Sequence, residues 1–336
     1  MIILSESDVR QVFDMDMAFQ AVREASIAYV RGSTTSPRRT ALAPDEGGEF
    51  LVMPGAVGPT FATKIWYALG RPSHHIPESS ALITLINPEL GHEVLIEGGL
   101  VTDLRTGAMT GLAAQHLAPS SATILTVLGA GIQARTQILA LLHALGSVRE
   151  VRVYSRSEDR RTRFCETLNA ELAGLGLGGR VNVTPADDPG RACRGADVIV
   201  AATTSSVPVV RDEWVGTNTL VCSVGSHTPH QSELEVDTVA RASRVVVDTV
   251  PGGVDGAGDI ANAIAAGHLE RDSVIELGHL LQSPRKAGGG ELTVFKSVGF
   301  SAADVVAARM IARAALDQGI GTHVALRSGS QANQAI

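Results

Sequence analysis

The chain has 336 residues, enough for two domains at roughly 150 residues each. Its 28 Lys and Arg against 35 Asp and Glu leave a formal charge of −7, which excludes the broad positive field that nucleic acids and anionic membranes select. With 44 % hydrophobic and 19 % charged residues it can bury a sizeable core, so wholesale disorder is excluded too. The 35 glycines and few aromatics suit a nucleotide-binding α/β protein. The start, MIILSESDVR, has no basic stretch ahead of a long apolar one. No apolar run reaches the roughly 18 residues of a membrane span, so a cytoplasmic protein with no membrane partner is expected. Cys165, Cys193 and Cys222 are odd in number and widely spaced, which argues for buried thiols and against disulfides or a zinc site.

The first third reads as α+β. Met1–Leu4 is a strand, and Ser5 with Asp8 forms a capping box for a short helix. Asp16 is the expected cap of a second helix, which stops at Gly32. Phe50–Met53, Ala62–Ala68 and Ala81–Asn87 are strands. Asn87-Pro-Glu-Leu-Gly91 turns the last of them into a hairpin with His92–Glu97. Leu100–Leu117 is a helix.

From Ala122 strands and helices alternate. Ala122–Leu128, Glu150–Tyr154, Val181–Thr184, Asp197–Ala202, Thr219–Val224, Arg244–Asp248 and Leu292–Val298 read as strands, the last after Gly288-Gly-Gly290. Helices at Ile132–Leu145, Glu158–Leu172 and Asp188–Cys193 fall between them. This is the grammar of a doubly wound parallel sheet. Ser301–Gln318 is a final helix, and the polar tail after Gly321 is expected to fray. The fold class is therefore α/β: a Rossmann-type sheet over 119–299, plus an α+β domain over 1–118 that regains 300–336.

Gly129-Ala-Gly131-Ile132-Gln133-Ala134 lies between a strand and a helix. Gly129 permits the tight turn, Gly131 admits a pyrophosphate, and Ala134 keeps the helix close to the sheet. The phosphates then meet the N–H groups of the helix start at Ile132 and Gln133. The next strand ends in Ser155-Arg156-Ser157, where an NAD site usually places a carboxylate. Two hydroxyls and a guanidinium suit a 2′-phosphate, so NADP(H) is preferred and NAD(H) is the second choice. Thr203 and Thr204, then Gly225 and Ser226, follow later strands and fall on the ligand-binding edge. Gly252–Asp259 looks like a second phosphate loop, but its two Asp argue against that. Asp259 reads as a helix cap.

The order of Arg39, Met53-Pro54, Lys64, Leu104-Arg105-Thr106-Gly-Ala108, the Gly129 turn and Phe295-Lys296-Ser297-Val298-Gly299 resembles the ornithine cyclodeaminase/mu-crystallin family over nearly the whole chain. The resemblance implies a homodimer formed through the first domain's sheet. It implies hydride transfer between a nicotinamide and the α-carbon of an amino or imino acid. It places the substrate carboxylate on Arg39, Lys64 and Arg105, and puts Lys296 and Gly299 on the cofactor side. Three cations far apart in sequence make sense together if they converge on one carboxylate.

Two departures from the family pattern bear on the substrate. Cyclodeaminases carry an acidic residue just before Met-Pro, where this chain has Leu51, so ornithine is disfavoured. His227 stands where those enzymes place an Asp, and as an acid or base near working pH it takes the catalytic role together with Lys64. Leu51, Trp66 and the His74–His75 loop are expected around the substrate's side chain. The expected activity is reduction of a cyclic ketimine carboxylate, or the related amino acid dehydrogenation. An ammonia-eliminating cyclodeaminase and a non-catalytic NADPH-dependent binding protein are the alternatives.

Overall fold

The computed structural model describes residues 1–43, 47–74, 76–284 and 290–326. Gly288, Gly289, His75 and the end of the tail lie outside them. The chain opens with β1 (Ile2–Leu4), α1 (Glu6–Val12), α2 (Met15–Val30), β2 (Thr34–Thr35), β3 (Thr40–Leu42), β4 (Gly48–Val57), β5 (Thr60–Leu69), β6 (Ser79–Asn87) and β7 (His92–Glu97). The long helix α3 (Gly99–Leu117) leads out of this part. These strands form a mixed sheet in the order β16-β1-β7-β6-β5-β4-β2, with β3 also on β4 and β16 (Thr322–His323) at the edge. The antiparallel hairpins follow from alternating patterns, since β6 buries every second residue and exposes the rest.

The second sheet is parallel throughout, in the order β10-β9-β8-β11-β12-β15-β13-β14. Its strands are β8 (Ile124–Leu128), β9 (Glu150–Tyr154), β10 (Asn182–Pro185), β11 (Val198–Ala201), β12 (Leu220–Ser223), β13 (Arg244–Val247), β14 (Ile275–Glu276) and β15 (Thr293–Lys296). Helices α4 (Ile132–Ala144), α5 (Glu158–Gly174), α6 (Pro189–Cys193), α7 (Val236–Ala240), α8 (Gly258–Ala265) and α9 (Leu277–Gln282) alternate with them. Strands β11, β12 and β15 are buried along their whole length, as continuous apolar strands covered on both faces must be. The strand order reverses between β8 and β11, and the crevice for a ligand opens there, at the carboxyl ends. The last helix, α10 (Ser301–Asp317), packs against α2, β4 and β5 of the first sheet.

Three local expectations are corrected. Asp14, not Asp16, caps α2: its carboxylate accepts from Met17 N at 2.8 Å. Asp16 falls in the first turn and faces His143 at 3.2 Å. The start of the tail is not frayed, because Thr322 and His323 pair with Ile3 and Ile2. Asp259 caps nothing and lies inside α8, where it serves another purpose described below. All three cysteines are free and buried, and burial pushes the Cys165 and Cys193 thiols up to about 11 and 12. Among the described residues, no group of His, Cys, Asp and Glu could hold a metal, and no helix is long and apolar enough to cross a membrane.

Candidate active site

The turn after β8 holds Gly129 at φ 127°, and a Cβ there would lie 2.3 Å from the Ala202 carbonyl oxygen. Two strand ends therefore meet with no room for a side chain. Gly131 is the N-cap of α4 and offers no side-chain cap, so the first-turn N–H groups stay available to an anion. Ile132 is exposed at that helix start, and Gln133 is tied to Asp103 of α3 at 2.8 Å. Ala134 is fully buried against the sheet. The turn, the uncapped helix and the crevice together fit a dinucleotide.

At the end of β9, Ser155 Oγ donates to Ser157 O at 3.1 Å, and Ser157 caps α5. Arg161 is used internally, donating to Ser155 O and Asp187. Arg160 Nε reaches back to Ala130 O at 3.3 Å, over the glycine turn. Arg156 is exposed and makes no hydrogen bond or ion pair with a described residue.

Behind the crevice edge lies a buried polar network. Glu233 accepts from Thr203 N and Oγ1 at 2.7 and 2.8 Å, and from Gly225 N at 2.7 Å. Asp259 accepts from Glu233 N and Leu234 N at 2.7 and 2.9 Å, and from Ser226 Oγ. Lys296 Nζ lies 3.1 Å from Asp259 and donates to Ser226 O at 2.6 Å. Burial raises the Asp259 pKa, but Lys296 and these hydrogen bonds outweigh it and the carboxyl is held below its ordinary range. Ser226 and Lys296 are fully buried in this network, and the Thr203 hydroxyl is engaged by Glu233. Their side chains brace the two strand-end loops. Thr204 is exposed at the crevice.

A cavity of about 390 Å³ opens between the two sheets, lined among others by Arg39, Glu49, Leu51, Met53, His227 and Gly299. Trp66 and His74 are not among its lining residues, although both were expected there. The structure brings the three predicted cations together. Lys64 Nζ and Arg105 Nε lie 2.8 and 3.0 Å from the same oxygen, Oδ1 of Asp304, and all three groups are buried. Arg105 runs beneath Gly299, whose φ is 80°, and a Cβ there would lie 2.3 Å from the guanidinium. Asp248 fixes this turn by accepting from Val298 N and Gly299 N at 2.8 and 2.6 Å. Burial, with Arg105 and Arg38 nearby, lowers the Arg39 pKa against the pull of Asp248 and Glu49. Two buried cations share one carboxylate, and Arg39 adds a third positive charge. Below the Lys64 pKa of about 7 the three cations outnumber Asp304, which suits an anionic ligand, while Asp248 and Glu49 also act on Arg39.

Burial and the Arg105 charge lower the Lys64 pKa from 10.5 to about 7, against the pull of Asp304. From about 7 to 10.5 the unfolded chain thus holds a proton at Lys64 that the native chain has lost. Stability contributed by this site therefore rises with pH across that window. Lys64→Met is expected to remove that rise, read as the urea midpoint at pH 7, 8.5 and 10.

His227, on the loop after β12, presents Nε2 to Glu49 Oε2 at 3.2 Å. Glu49, Leu51 and Met53 alternate along β4, so the strand's pleat turns all three into the cavity. Sequence reasoning missed Glu49, Asp304, Asp248 and Glu233. A signal existed for Asp304, a lone acid in the apolar start of α10, as Lys64 is a lone base in apolar β5.

A glycine turn at the switch point of a doubly wound sheet, with a cavity lined by Arg39 and by Gly299 over the buried Arg105, defines a dinucleotide-binding α/β protein. The chain belongs to the ornithine cyclodeaminase/mu-crystallin family, whose model matches residues 1–319. It is 29 % identical to the alanine dehydrogenase of Archaeoglobus fulgidus, with 96 % of this chain and 98 % of that protein covered. Among solved structures it resembles the Thermococcus litoralis Delta(1)-pyrroline-2-carboxylate reductase in complex with NADH and L-proline. That match has a TM-score of 0.86 and 28 % identity, over 96 % of this chain and 100 % of the other. An archaeal alanine dehydrogenase dimer with bound NAD gives a TM-score of 0.85 and 28 % identity, over 97 % and 99 %.

Proposed function

We propose that the protein is a nicotinamide-dependent oxidoreductase of α-imino and α-amino acids. The preferred reaction is reduction of a cyclic ketimine carboxylate such as pyrroline- or piperideine-2-carboxylate. The observation that carries this reading is the buried Lys64–Asp304–Arg105 cluster beside Arg39, which suits the α-carboxylate of such a substrate. The family's reductase and dehydrogenase members support it. Residues 119–299 serve as the cofactor domain. Residues 1–118 with 300–336 serve as the substrate domain, to which α10 brings Asp304.

When bound, the reduced nicotinamide supplies a hydride to the substrate's α-carbon. The α4 N-terminus and the Gly129–Gly131 turn hold the pyrophosphate. Arg39, Lys64 and Arg105 fix the carboxylate and so orient the α-carbon. His227 gives a proton to the nitrogen. Leu51 in the cavity wall offers no partner for a distal amine, and the Glu49 carboxylate beside it is engaged by His227, which disfavours ornithine. The test is NADPH oxidation with pyrroline-2-carboxylate, piperideine-2-carboxylate, and 2-oxo acids plus ammonia or methylamine. Turnover of a cyclic imino acid is expected. No turnover of any of them overturns the reading, and ammonia release from a diamino acid without net cofactor change establishes the cyclodeaminase instead.

The unpartnered Arg156 favours NADP(H). Arg156→Glu is expected to raise the KM for NADPH about 10- to 100-fold, the worth of a charged hydrogen bond, and to leave that for NADH within a few-fold. Equal effects on both cofactors count against a 2′-phosphate contact.

The outer face of the mixed sheet carries Phe61 opposite Ile86 and Ile65 opposite Leu82 across β5 and β6, with Phe61, Ile86 and Leu82 exposed. This apolar face is the proposed homodimer contact. Sedimentation is expected to show a dimer that Ile86→Lys converts to monomer.

A further inference from the structure

Both ring nitrogens of His227 face oxygens. Nε2 lies 3.2 Å from Glu49 Oε2, and Nδ1 lies 3.2 Å from the Gly225 carbonyl oxygen. A carbonyl and an ionised carboxylate can only accept hydrogen bonds. A neutral imidazole has one donor, so in either tautomer one ring lone pair would point at an oxygen. Both contacts are hydrogen bonds together only when the ring is an imidazolium. The two partners come from opposite sides of the cavity: Glu49 from β4 of the mixed sheet and His227 from the loop after β12 of the parallel sheet.

We propose that Glu49 is the positioning residue of the proton donor, holding His227 charged and aimed so that the pair supplies the proton the imine nitrogen takes. This rests on the imine-reducing reading above. In that step the reduced nicotinamide gives a hydride to the α-carbon and the C=N π pair moves to nitrogen. The imine nitrogen displaces Glu49 as acceptor of the His227 Nε2–H and takes that proton, and the neutral ring regains one from solvent. Glu49 keeps its charge throughout. The other charged groups around the pair are Arg38 and Arg39 before β3, Arg105 from α3, Asp248 after β13 and Asp255 after the Val250–Val254 turn. Glu49 also acts on Arg39, so it stands between the carboxylate-binding cation and the proton donor. A carboxylate there keeps two positive groups in one cavity without mutual repulsion.

Glu49→Gln replaces the acceptor with an amide whose N–H can face a neutral Nε2. The expected result is a fall in reductive kcat on the order of 10²-fold, the usual worth of a general acid, with KM for the imino acid within about threefold. Glu49→Asp restores part of it. In a His227→Ala background Glu49→Gln costs nothing further, because the two act as one unit. Unchanged kcat, or losses that add, overturns the proposal, since additive losses mean that the two groups act independently on the reaction. A second measurement needs no substrate: ring 15N spectra of His227 in the intact protein. At a pH where the native ring is protonated on both nitrogens, Glu49→Gln is expected to show the neutral, Nδ1-protonated form. Identical ring spectra overturn the proposal even if reduction is observed. A negative imino acid screen with altered ring spectra overturns only the proposed reaction.

Discussion

Asp304→Ala is expected to cost about 3–5 kcal/mol of stability, the range for removing one partner of a buried ion pair. The reason is geometric. Asp304 Oδ1 is the shared acceptor for Lys64 and Arg105, at 2.8 and 3.0 Å, and all three side chains are buried, Arg105 being 5 % exposed. Its removal leaves two like charges buried together, and the only relief is loss of the Lys64 proton, to which burial and Arg105 already incline that group. Asp304→Asn keeps one acceptor oxygen and is expected to cost less. Burial alone would raise the Asp304 pKa, but the charges of Arg105 and Lys64 outweigh it and lower it. Its contribution is therefore present above the carboxyl's unfolded value near 3.8 and lost as the pH falls through the lower folded one. Urea unfolding of both variants at pH 6 measures the effect. A loss below about 1 kcal/mol for the alanine variant would contradict a buried ion-pair cluster. In activity assays, the same variant is expected to raise KM for the imino acid.

Gly129→Ala is expected to abolish nicotinamide nucleotide binding while the rest of the chain stays folded. The added Cβ meets the Ala202 carbonyl oxygen at 2.3 Å, and that oxygen belongs to a backbone fixed by the adjoining strand. The φ of 127° is strained for any residue with a Cβ. The turn must open, which separates the α4 N-terminus from the pyrophosphate position. Fluorescence titration with NADPH and NADH checks this, with a loss of at least about 10²-fold expected for both, or roughly 2.7 kcal/mol. A wild-type Kd in the variant would mean that the turn does not carry the phosphates.

Asp304 and Gly129 differ in how far the sequence reveals them. The glycine turn is local: strand, turn and helix are consecutive, and their hydrophobic periods announce them. The alternation after Ala122 reveals the parallel sheet in the same way, and seven of its eight strands fall within a residue or two of their expected places, while the two-residue β14 was not anticipated. The caps were less legible. Asp14 and Asp16 both suit a helix start, and only the path of the backbone decides between them.

The side chains behind the crevice were less legible still. Ser226 follows a strand end, where ligands bind, and Lys296 is put on the cofactor side by the family resemblance. The tertiary structure turns them inward instead, because Asp259 is buried nearby and needs donors. Glu49 and Asp304 act on partners 178 and 240 residues away, His227 and Lys64. Nothing in their own neighbourhoods sets those distances.

By itself the sequence determined the elements, the glycine turn and, through resemblance, the cations Arg39, Lys64 and Arg105. The elements and the turn rest on short-range pattern and local backbone geometry. Only the tertiary structure decided which charges neutralise which. Electrostatic pairing depends on burial and on distances of a few ångströms between residues far apart in the chain, and those are set when α10 returns to β5 and β4 meets the loop after β12.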